Sequence, residues 1–355
     1  MPETVRLLDE NGVRIPSPQW DPLIDDLDEA ALADLYEDMV VLRRIDAEAT
    51  ALQRQGEIAL WPPVYGQEAA QIASGRALRR DDFVFGSYRE TGVAYTRGID
   101  PVEIARVWRG AAASAWNPYE FHMATAQVII GAQTLHATGY ALGIQNDGSD
   151  QVAVTYFGDG AMSEGDVSEA MIFAATYGAP VVFFCQNNQF AISEPVTLQS
   201  KTPLADRPVG FGIPSVQVDG NDVLAVTAVM RQALQRAREG GGPTYIEAVT
   251  YRMGPHTTAD DPTRYRDPAE LELWGKRDPI SRLRTLLETS GLDGPELEAR
   301  AAAAADRVAA AFRAGVQNMP DPEPMSVFDN VYAEPHHELD RQKNEYARYL
   351  EGFAS

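Results

Sequence analysis

Two short polar motifs, a Gly-Asp-Gly (158–160) and an Asn-Asn pair (187–188), each follow a run of apolar, β-prone residues. The first motif comes after residues 151–157 and the second after residues 181–186. The glycines permit tight backbone geometry close to a phosphate, and a helix that starts there offers free N–H groups to an anion. A carboxylate, an amide oxygen and a backbone carbonyl are hard ligands that suit Mg²⁺. The motifs therefore predict a diphosphate bound through Mg²⁺.

The elements that must position these motifs form a β-α-β unit, because residues 164–177 between the two apolar runs have the pattern of a helix. In a right-handed unit of this kind both strands end at the same edge of the sheet. We therefore expect Asp159 and Asn188 to lie close together, at the edge where open α/β sheets bind ligands. Gly-Asp-Gly alone is compatible with an ordinary strand–turn–helix connection, but the two motifs together favour a ligand site.

Strands and helices alternate along much of the chain. Strands are predicted at 151–157, 181–186, 214–218 and 244–250. Helices are predicted at 28–54, 66–79, 99–110, 133–145, 164–177, 221–238 and 295–315. Because the strands are apolar on both faces, this pattern indicates an α/β fold with a parallel sheet flanked by helices.

The chain is expected to have three parts. They are a loosely structured N-terminal arm (1–27), an α/β domain that binds the diphosphate (28–267) and a helical C-terminal extension (268–355). In the extension, the helix-breaking run PDPEP (320–324) is followed by an acidic tail.

Charge and cysteine content restrict the class of partner. A net charge of −22 argues against nucleic acid or an anionic membrane as the main partner, although a local site can still bind a phosphate-bearing small molecule. The single cysteine, Cys185, cannot form an internal disulfide, and we expect a cytoplasmic protein. No apolar stretch reaches the roughly 18 residues needed to span a bilayer.

The Gly-Asp-Gly and Asn-Asn motifs, separated by about 25 residues, resemble the diphosphate–metal signature of thiamine-diphosphate enzymes. Over roughly residues 30–350 the chain resembles the α subunit of the heteromeric 2-oxo acid dehydrogenase E1 component, of the pyruvate and branched-chain types. The segments that carry this resemblance are YGQEAAQIA (65–73), SYRETGVAYTRG (87–98), VIIGAQ (128–133), GDGAMSEGD (158–166), QNNQFAIS (186–193), VDGND (218–222) and YRMGPHTTADDPTRYR (251–266). The resemblance implies the thiamine-diphosphate-binding fold, with thiamine diphosphate and Mg²⁺ as cofactors.

The resemblance also implies roles for residues at the metal and the phosphates. The positions of Asp159 and Asn188 ligate Mg²⁺ through their side chains in the family, and the position of Phe190 does so through its backbone carbonyl. Gly160 and Ala161 match residues whose backbone N–H groups contact the diphosphate.

Five further positions match cofactor contacts in the family. Tyr88 and Arg89 match a pair that reaches the phosphates. Val128 and Ile130 match backbone positions that meet the aminopyrimidine ring. His256 matches a histidine that contacts the diphosphate and assists the reaction at the active centre, so we predict it as the catalytic residue.

Other polar residues near these motifs have alternative interpretations. Arg89, taken alone, suggests a surface ion pair with Glu90. Gln186 stands where branched-chain relatives often carry an arginine, and it is given no role. Thr257 occupies a place that is phosphorylated in some relatives and is treated as unmodified, and His136 is interpreted as a packing residue of its helix.

The resemblance implies oxidative decarboxylation of a 2-oxo acid, followed by reductive acylation of the lipoyl group of the E2 acyltransferase. A second module, which supplies a glutamate to the aminopyrimidine, would lie on a separate β subunit within an α₂β₂ heterotetramer. The segments VIIGAQ, QNNQFAIS and GPHTTADDPTRYR resemble bacterial pyruvate-type chains, so pyruvate is the favoured substrate and a branched-chain 2-oxo acid is the alternative. The segment 110–127 departs from both types, because it lacks the Gly-Lys-rich run common in relatives.

Two other classes of protein are alternatives to this interpretation. A dehydrogenase that binds NAD predicts G-x-G-x-x-G after the first strand, and GDGAMSEG does not have that spacing. A non-catalytic regulatory subunit would not need Asp159, Asn188, Arg89 and His256 together.

Overall fold

The computed structural model describes residues 4–112, 114, 116–292 and 294–353. In chain order its α-helices are α1 (Glu29–Arg54), α2 (Glu68–Arg76), α3 (Thr91–Thr96), α4 (Pro101–Arg109), α5 (Pro118–Phe121), α6 (Ala132–Asn146), α7 (Gly165–Tyr177), α8 (Val196–Gln199), α9 (Val223–Arg238), α10 (Pro268–Gly275), α11 (Pro279–Thr289), α12 (Pro295–Gln317) and α13 (His337–Glu351). Its strands are β1 (Phe83–Phe85), β2 (Ala153–Gly158), β3 (Val181–Asn187), β4 (Phe190–Ala191), β5 (Glu194–Pro195), β6 (Ser215–Asp219) and β7 (Thr244–Val249).

Five strands form one parallel sheet in the order β1-β2-β3-β7-β6, and β4 and β5 form a small antiparallel pair. The predicted parallel α/β fold is therefore confirmed. In the register of the sheet Gly158 is paired with Gln186, and Asn187 with Val249. The last residues of β2, β3 and β7 thus lie side by side at one edge.

Successive side chains of the central strands enter two separate cores. Phe183 and Cys185 of β3 pack on the face covered by α6 and α7, whereas Val182 and Phe184 pack on the face covered by α2 and α9. This is the alternation expected of a strand that is buried on both faces. Cys185 is fully buried, and burial raises the pKa of its thiol.

The N-terminal arm is ordered where it meets the sheet, so the expectation of a loosely structured arm is wrong for this part. Leu7 and Leu8 are fully buried, and both of their backbone N–H groups donate to the Asp222 carboxylate at 2.6 Å. Val5 forms a parallel bridge with Val218 on the outer side of β6. Burial of two leucines and satisfaction of a buried carboxylate together hold the arm in place.

The opposite edge of the sheet is covered in the same way. Val84 of β1 forms a parallel bridge with Met123, and its backbone bonds to His122 and Ala124 are 2.9 and 2.8 Å long. A single residue from an irregular segment therefore lies along each outer strand.

The C-terminal part is helical, as expected, but it differs in detail. Helix α12 packs along α1, and the rings of Phe312 and Trp61 are 6.0 Å apart. The stretch expected to be an acidic tail contains helix α13, which has no buried residue. The division into domains at residues 27 and 267 stays a prediction.

Helix α6 is turned so that Ala137 and Ala141 face the core, whereas His136 is exposed on the opposite side. The interpretation of His136 as a packing residue is therefore wrong. No helix within the described ranges combines the length and apolar character needed to cross a bilayer.

Candidate active site

A cleft of about 230 Å³ opens at the carboxyl edge of the sheet, beside the ends of β2 and β3. Its wall includes every residue predicted from the sequence except Val128, whose side chain is 62% exposed. The predicted residues that line it are Tyr88, Arg89, Ile130, Asp159, Gly160, Ala161, Asn188, Phe190 and His256. Residues from five separate parts of the chain thus converge at one place.

The Asp159 carboxylate is buried at the end of β2 and is only partly satisfied. Gln199 donates from Nε2 to Oδ2 at 3.1 Å, whereas Oδ1 is buried and has no hydrogen-bond partner in the part of the chain that the structure describes. Burial raises the pKa of Asp159 to about 6, against the opposing effect of the Gln199 amide. A buried carboxylate oxygen that lacks a donor is suited to a cation.

Gly160 lies in a close backbone contact beside this carboxylate. A Cβ atom at this position would lie 2.7 Å from the Cβ of Ala191, so only glycine fits without a shift of the β4 segment. Residues Asp159–Ser163 form a short 3₁₀ turn before α7 begins at Gly165. The backbone N–H groups of Gly160 and Ala161 therefore belong to this turn and not to the first turn of the following helix.

Asn188 and Phe190 place two further oxygens at the cleft. The Asn188 side chain donates to Gln67 Oε1 at 3.2 Å, and its Oδ1 accepts from the Phe190 N–H at 3.3 Å. The Phe190 carbonyl accepts a 3.1 Å bond from Arg252 Nη1, which occupies one of its two lone pairs. A carboxylate, an amide and a carbonyl with remaining acceptor capacity form a donor set that fits Mg²⁺.

Arg89 is buried, and its guanidinium bonds only to neutral groups among the described residues. It donates to the Pro63 carbonyl at 2.7 Å and to the His256 carbonyl at 2.9 Å. Within the described ranges no ion pair joins Arg89 to Glu90, so the ion-pair alternative for Arg89 is wrong. Burial lowers the pKa of Arg89. A buried cation of this kind is suited to an anion.

The same guanidinium determines the tautomer of His256. Arg89 Nη2 lies 3.1 Å from His256 Nδ1, and because a guanidinium cannot accept, Nδ1 must be the acceptor. The ring proton therefore lies on Nε2. Burial, with the charges of Arg89 and Arg252, lowers the pKa of His256 to about 4, so the ring is neutral at pH 7.

The loop that carries His256 is held by its own hydrogen bonds. Asp260 accepts from the His256 N–H at 2.7 Å and from the Tyr265 hydroxyl at 2.5 Å. Thr258 is buried and exchanges two hydrogen bonds with the backbone of Trp61, at 2.9 and 3.0 Å. The loop thus positions the histidine from both sides.

Gln67, Arg252 and Gln199 form hydrogen bonds to predicted residues of the site but were not themselves predicted from the sequence. Gln67 and Arg252 lie in the quoted motifs YGQEAAQIA and YRMGPHTTADDPTRYR, so their position beside other site residues was the available signal. Gln199 lies in none of the motifs, and only the folded chain brings its amide to Asp159.

The fold and the cleft together define a class: an α/β protein that has a site for a cation beside an anion at the carboxyl edge of a parallel sheet. Residues 36–324 match the model of the dehydrogenase E1 component family. The chain is 50% identical over 310 residues to the 3-methyl-2-oxobutanoate dehydrogenase subunit alpha of Mycobacterium tuberculosis, covering 87% of this chain and 84% of the relative. It is 42% identical over 292 residues to the pyruvate dehydrogenase E1 component subunit alpha of Staphylococcus aureus, covering 82% and 78%.

The chain therefore belongs to the dehydrogenase E1 component family, as an α chain of the thiamine-diphosphate-dependent 2-oxo acid dehydrogenases. The resemblance seen in the sequence motifs is confirmed.

Proposed function

We propose that this chain forms the diphosphate- and Mg²⁺-binding half of an E1 active site, which oxidatively decarboxylates a 2-oxo acid and acylates the lipoyl group of E2. The observation that carries the proposal is the pairing of two incompletely satisfied charges in one cleft. Among the residues that the structure describes, none donates a hydrogen bond to the buried Asp159 Oδ1 and no carboxylate pairs with the buried Arg89 guanidinium. A metal-bound diphosphate would satisfy both.

In this proposal Asp159, Asn188 and the Phe190 carbonyl hold Mg²⁺. The N–H groups of Gly160 and Ala161 bind the diphosphate from the side of the 3₁₀ turn. This division is supported by the burial of the carboxylate and by the close approach of the turn to β4.

Tyr88 and Arg89 bind the diphosphate from the other side, and the backbone at Val128 and Ile130 meets the aminopyrimidine ring. Bound thiamine diphosphate supplies the nucleophilic carbon and the electron sink for decarboxylation. His256, neutral and with its proton on Nε2, is suited to donate a hydrogen bond to a phosphate oxygen or a proton near the reacting atoms. Its bond to Arg89 orients the ring for that role.

A β chain is proposed to complete the site. Both relatives are named as alpha subunits, which implies a partner of another kind. The rim of the cleft carries Ile192, and the neighbouring Ile129 is 72% exposed. On α7, Ile172 and Phe173 are also exposed. Apolar surface of this extent beside a cleft is typical of an interface and not of a solvated face.

The class of reaction leaves two candidates for the 2-oxo acid substrate. The motifs favour pyruvate, and this stays a prediction. The higher identity to the 3-methyl-2-oxobutanoate dehydrogenase chain favours the branched-chain acid as second candidate. The NAD-binding alternative finds no support, because the family match covers residues 36–324.

The test is the activity of the chain co-purified with its β partner, measured with an artificial electron acceptor, Mg²⁺ and thiamine diphosphate. We expect turnover of a 2-oxo acid that requires both cofactors and is lost in Asp159→Ala but kept in Asp147→Ala, which changes an exposed carboxylate. The ratio of kcat/KM for pyruvate to that for 3-methyl-2-oxobutanoate separates the two substrates. Normal turnover by Asp159→Ala would support a non-catalytic subunit instead.

A further inference from the structure

The Glu90 carboxylate is buried in the wall of the cleft, where neutral side chains donate hydrogen bonds to it. Gln186 donates from Nε2 to Glu90 Oε1 at 2.9 Å, and Ser87 donates from Oγ to Oε2 at 2.8 Å. Gln71 of α2 donates in turn to Gln186 Oε1 at 3.0 Å. Glu90 and Gln186 are 4% and 2% exposed. Within the described ranges no ion pair neutralises Glu90, and burial raises its pKa.

The network joins two loops that the sheet itself does not connect. Glu90 follows β1, and Gln186 lies near the end of β3, with β2 between them. Two strand spacings separate β1 from β3, which is roughly 9–10 Å. The backbone hydrogen bonds of the sheet therefore link these two strands only through β2, and not directly.

The same network reaches the backbone on the phosphate side. Gln71 Nε2 also donates to the Arg89 carbonyl at 2.9 Å, and Gln71 Oε1 accepts from the Gly92 N–H at 2.8 Å. On the other side Gln186 is two residues before Asn188 in the chain. The Glu90–Gln186 contact thus links the backbone at Arg89 to the segment that carries Asn188.

We propose that Glu90 and Gln186 are positioning residues, whose hydrogen bond holds the phosphate-binding loop and the metal-binding loop of the cleft in register. This inference rests on the proposed function of the cleft. Neither residue needs to touch the cofactor. The contact requires an amide NH₂ group facing an acceptor oxygen, and the two side chains can exchange these roles.

This last property supplies a sharp test, because the two side chains can be exchanged. In the double variant Glu90→Gln, Gln186→Glu the new amide can donate to the new carboxylate, which still accepts from Gln71, and Ser87 still has an acceptor. In Gln186→Glu alone, two carboxylates face each other where the present contact measures 2.9 Å. In Glu90→Gln alone, the new amide oxygen can accept from Gln186 and the new NH₂ group can donate to the Ser87 hydroxyl, so both contacts are retained but the charge is lost.

The variants are compared as complexes with the β chain, by calorimetric titration of thiamine diphosphate at saturating Mg²⁺. We expect Gln186→Glu to weaken binding by about tenfold or more and the double variant to return to within about threefold of the wild type, in the range of measured couplings between contacting residues. Glu90→Gln should weaken binding by less than about threefold. Gln232→Glu, the same change on the exposed face of α9, is the control.

A purely structural role would lower the melting temperature and the active fraction without changing the dissociation constant of the active sites. The inference is overturned if the double variant binds no better than Gln186→Glu, or if Gln186→Glu binds as tightly as the wild type. Failure of the wild-type complex to bind thiamine diphosphate would refute the proposed function itself, so the two failures are distinguishable. If Gln186→Glu does not fold, recovery of folding and of binding in the double variant still tests the pair.

Discussion

Asp159→Asn should stabilise the metal-free protein while it removes the response to Mg²⁺. The carboxylate is almost completely buried, and burial raises its pKa from the usual 3.8 to about 6. At about 1.4 kcal/mol for each unit of pKa, the ionised form costs about 3 kcal/mol in the folded state. Asparagine has the same shape, can accept from Gln199 through its oxygen and carries no charge.

The sign of the pH dependence follows from the raised pKa. Between pH 3.8 and about 6 the folded state binds the proton of Asp159 more tightly than the unfolded state does. The stability from this group is therefore fully present below the unfolded pKa and is lost as the pH rises through about 6. At pH 7.5 the variant should exceed the wild type by about 1–3 kcal/mol, and near pH 4 the two should converge.

Scanning calorimetry of the α–β complex, stripped with EDTA, measures this difference at the two pH values. We expect a melting temperature several degrees higher for the variant at pH 7.5. Addition of Mg²⁺ and thiamine diphosphate should then raise the melting temperature of the wild type but not that of the variant. A variant that melts below the metal-free wild type at pH 7.5, or that responds equally to the cofactors, would refute the reasoning. Asp147→Asn, at an exposed position, is the matched control.

Three further outcomes are expected. Arg89→Met removes the proposed charge-assisted contact to the diphosphate and should weaken thiamine diphosphate binding by roughly 10- to 100-fold in calorimetric titrations, whereas unchanged affinity would remove this residue from the site. The pKa of His256, about 4 in the cofactor-free protein, should rise when an anionic diphosphate binds nearby, and an NMR titration that finds no rise would contradict the proposed contact. Asp46→Asn should destabilise the fold by about 2–4 kcal/mol in urea unfolding. The buried carboxylate accepts from Trp61 Nε1 at 2.8 Å through one oxygen and from two backbone N–H groups through the other, and an amide cannot accept at both of its ends. Unchanged stability of that variant would show that these donors can find other partners.

The central strands could be predicted because a strand that is buried on both faces has apolar residues at successive positions. Strands β2, β3 and β7 have six or seven residues each and are mostly apolar, and each is followed by polar residues of the site. Strand β1 has only three residues, too few for any periodicity. Helix α13 has no buried residue, and its pairs of Arg341 with Glu338 and Glu345 are local.

The residues of the site that directly follow a strand could be predicted from the sequence. Asp159 and Asn188 each stand at the end of a strand, and the topology of a β-α-β unit brings such ends together. Gln199 and the neutral partners of Arg89 could not be predicted, because their contacts depend on how distant loops pack. The exposure of His136 was missed for the same reason, since the face that a helix buries is decided by its neighbours.

Both outer strands of the sheet are closed by the chain itself, at Val5 on one side and Met123 on the other. An outer strand with free N–H and C=O groups is a template on which another chain can add a strand. In this protein one irregular segment on each side of the sheet pairs with part of the outer strand. Quaternary assembly by continuation of the sheet from one chain into the next is therefore disfavoured, and neighbouring chains are left with helices and loops as their points of attachment. The same closure should lower the tendency of newly made chains to associate edge to edge before a partner has been found.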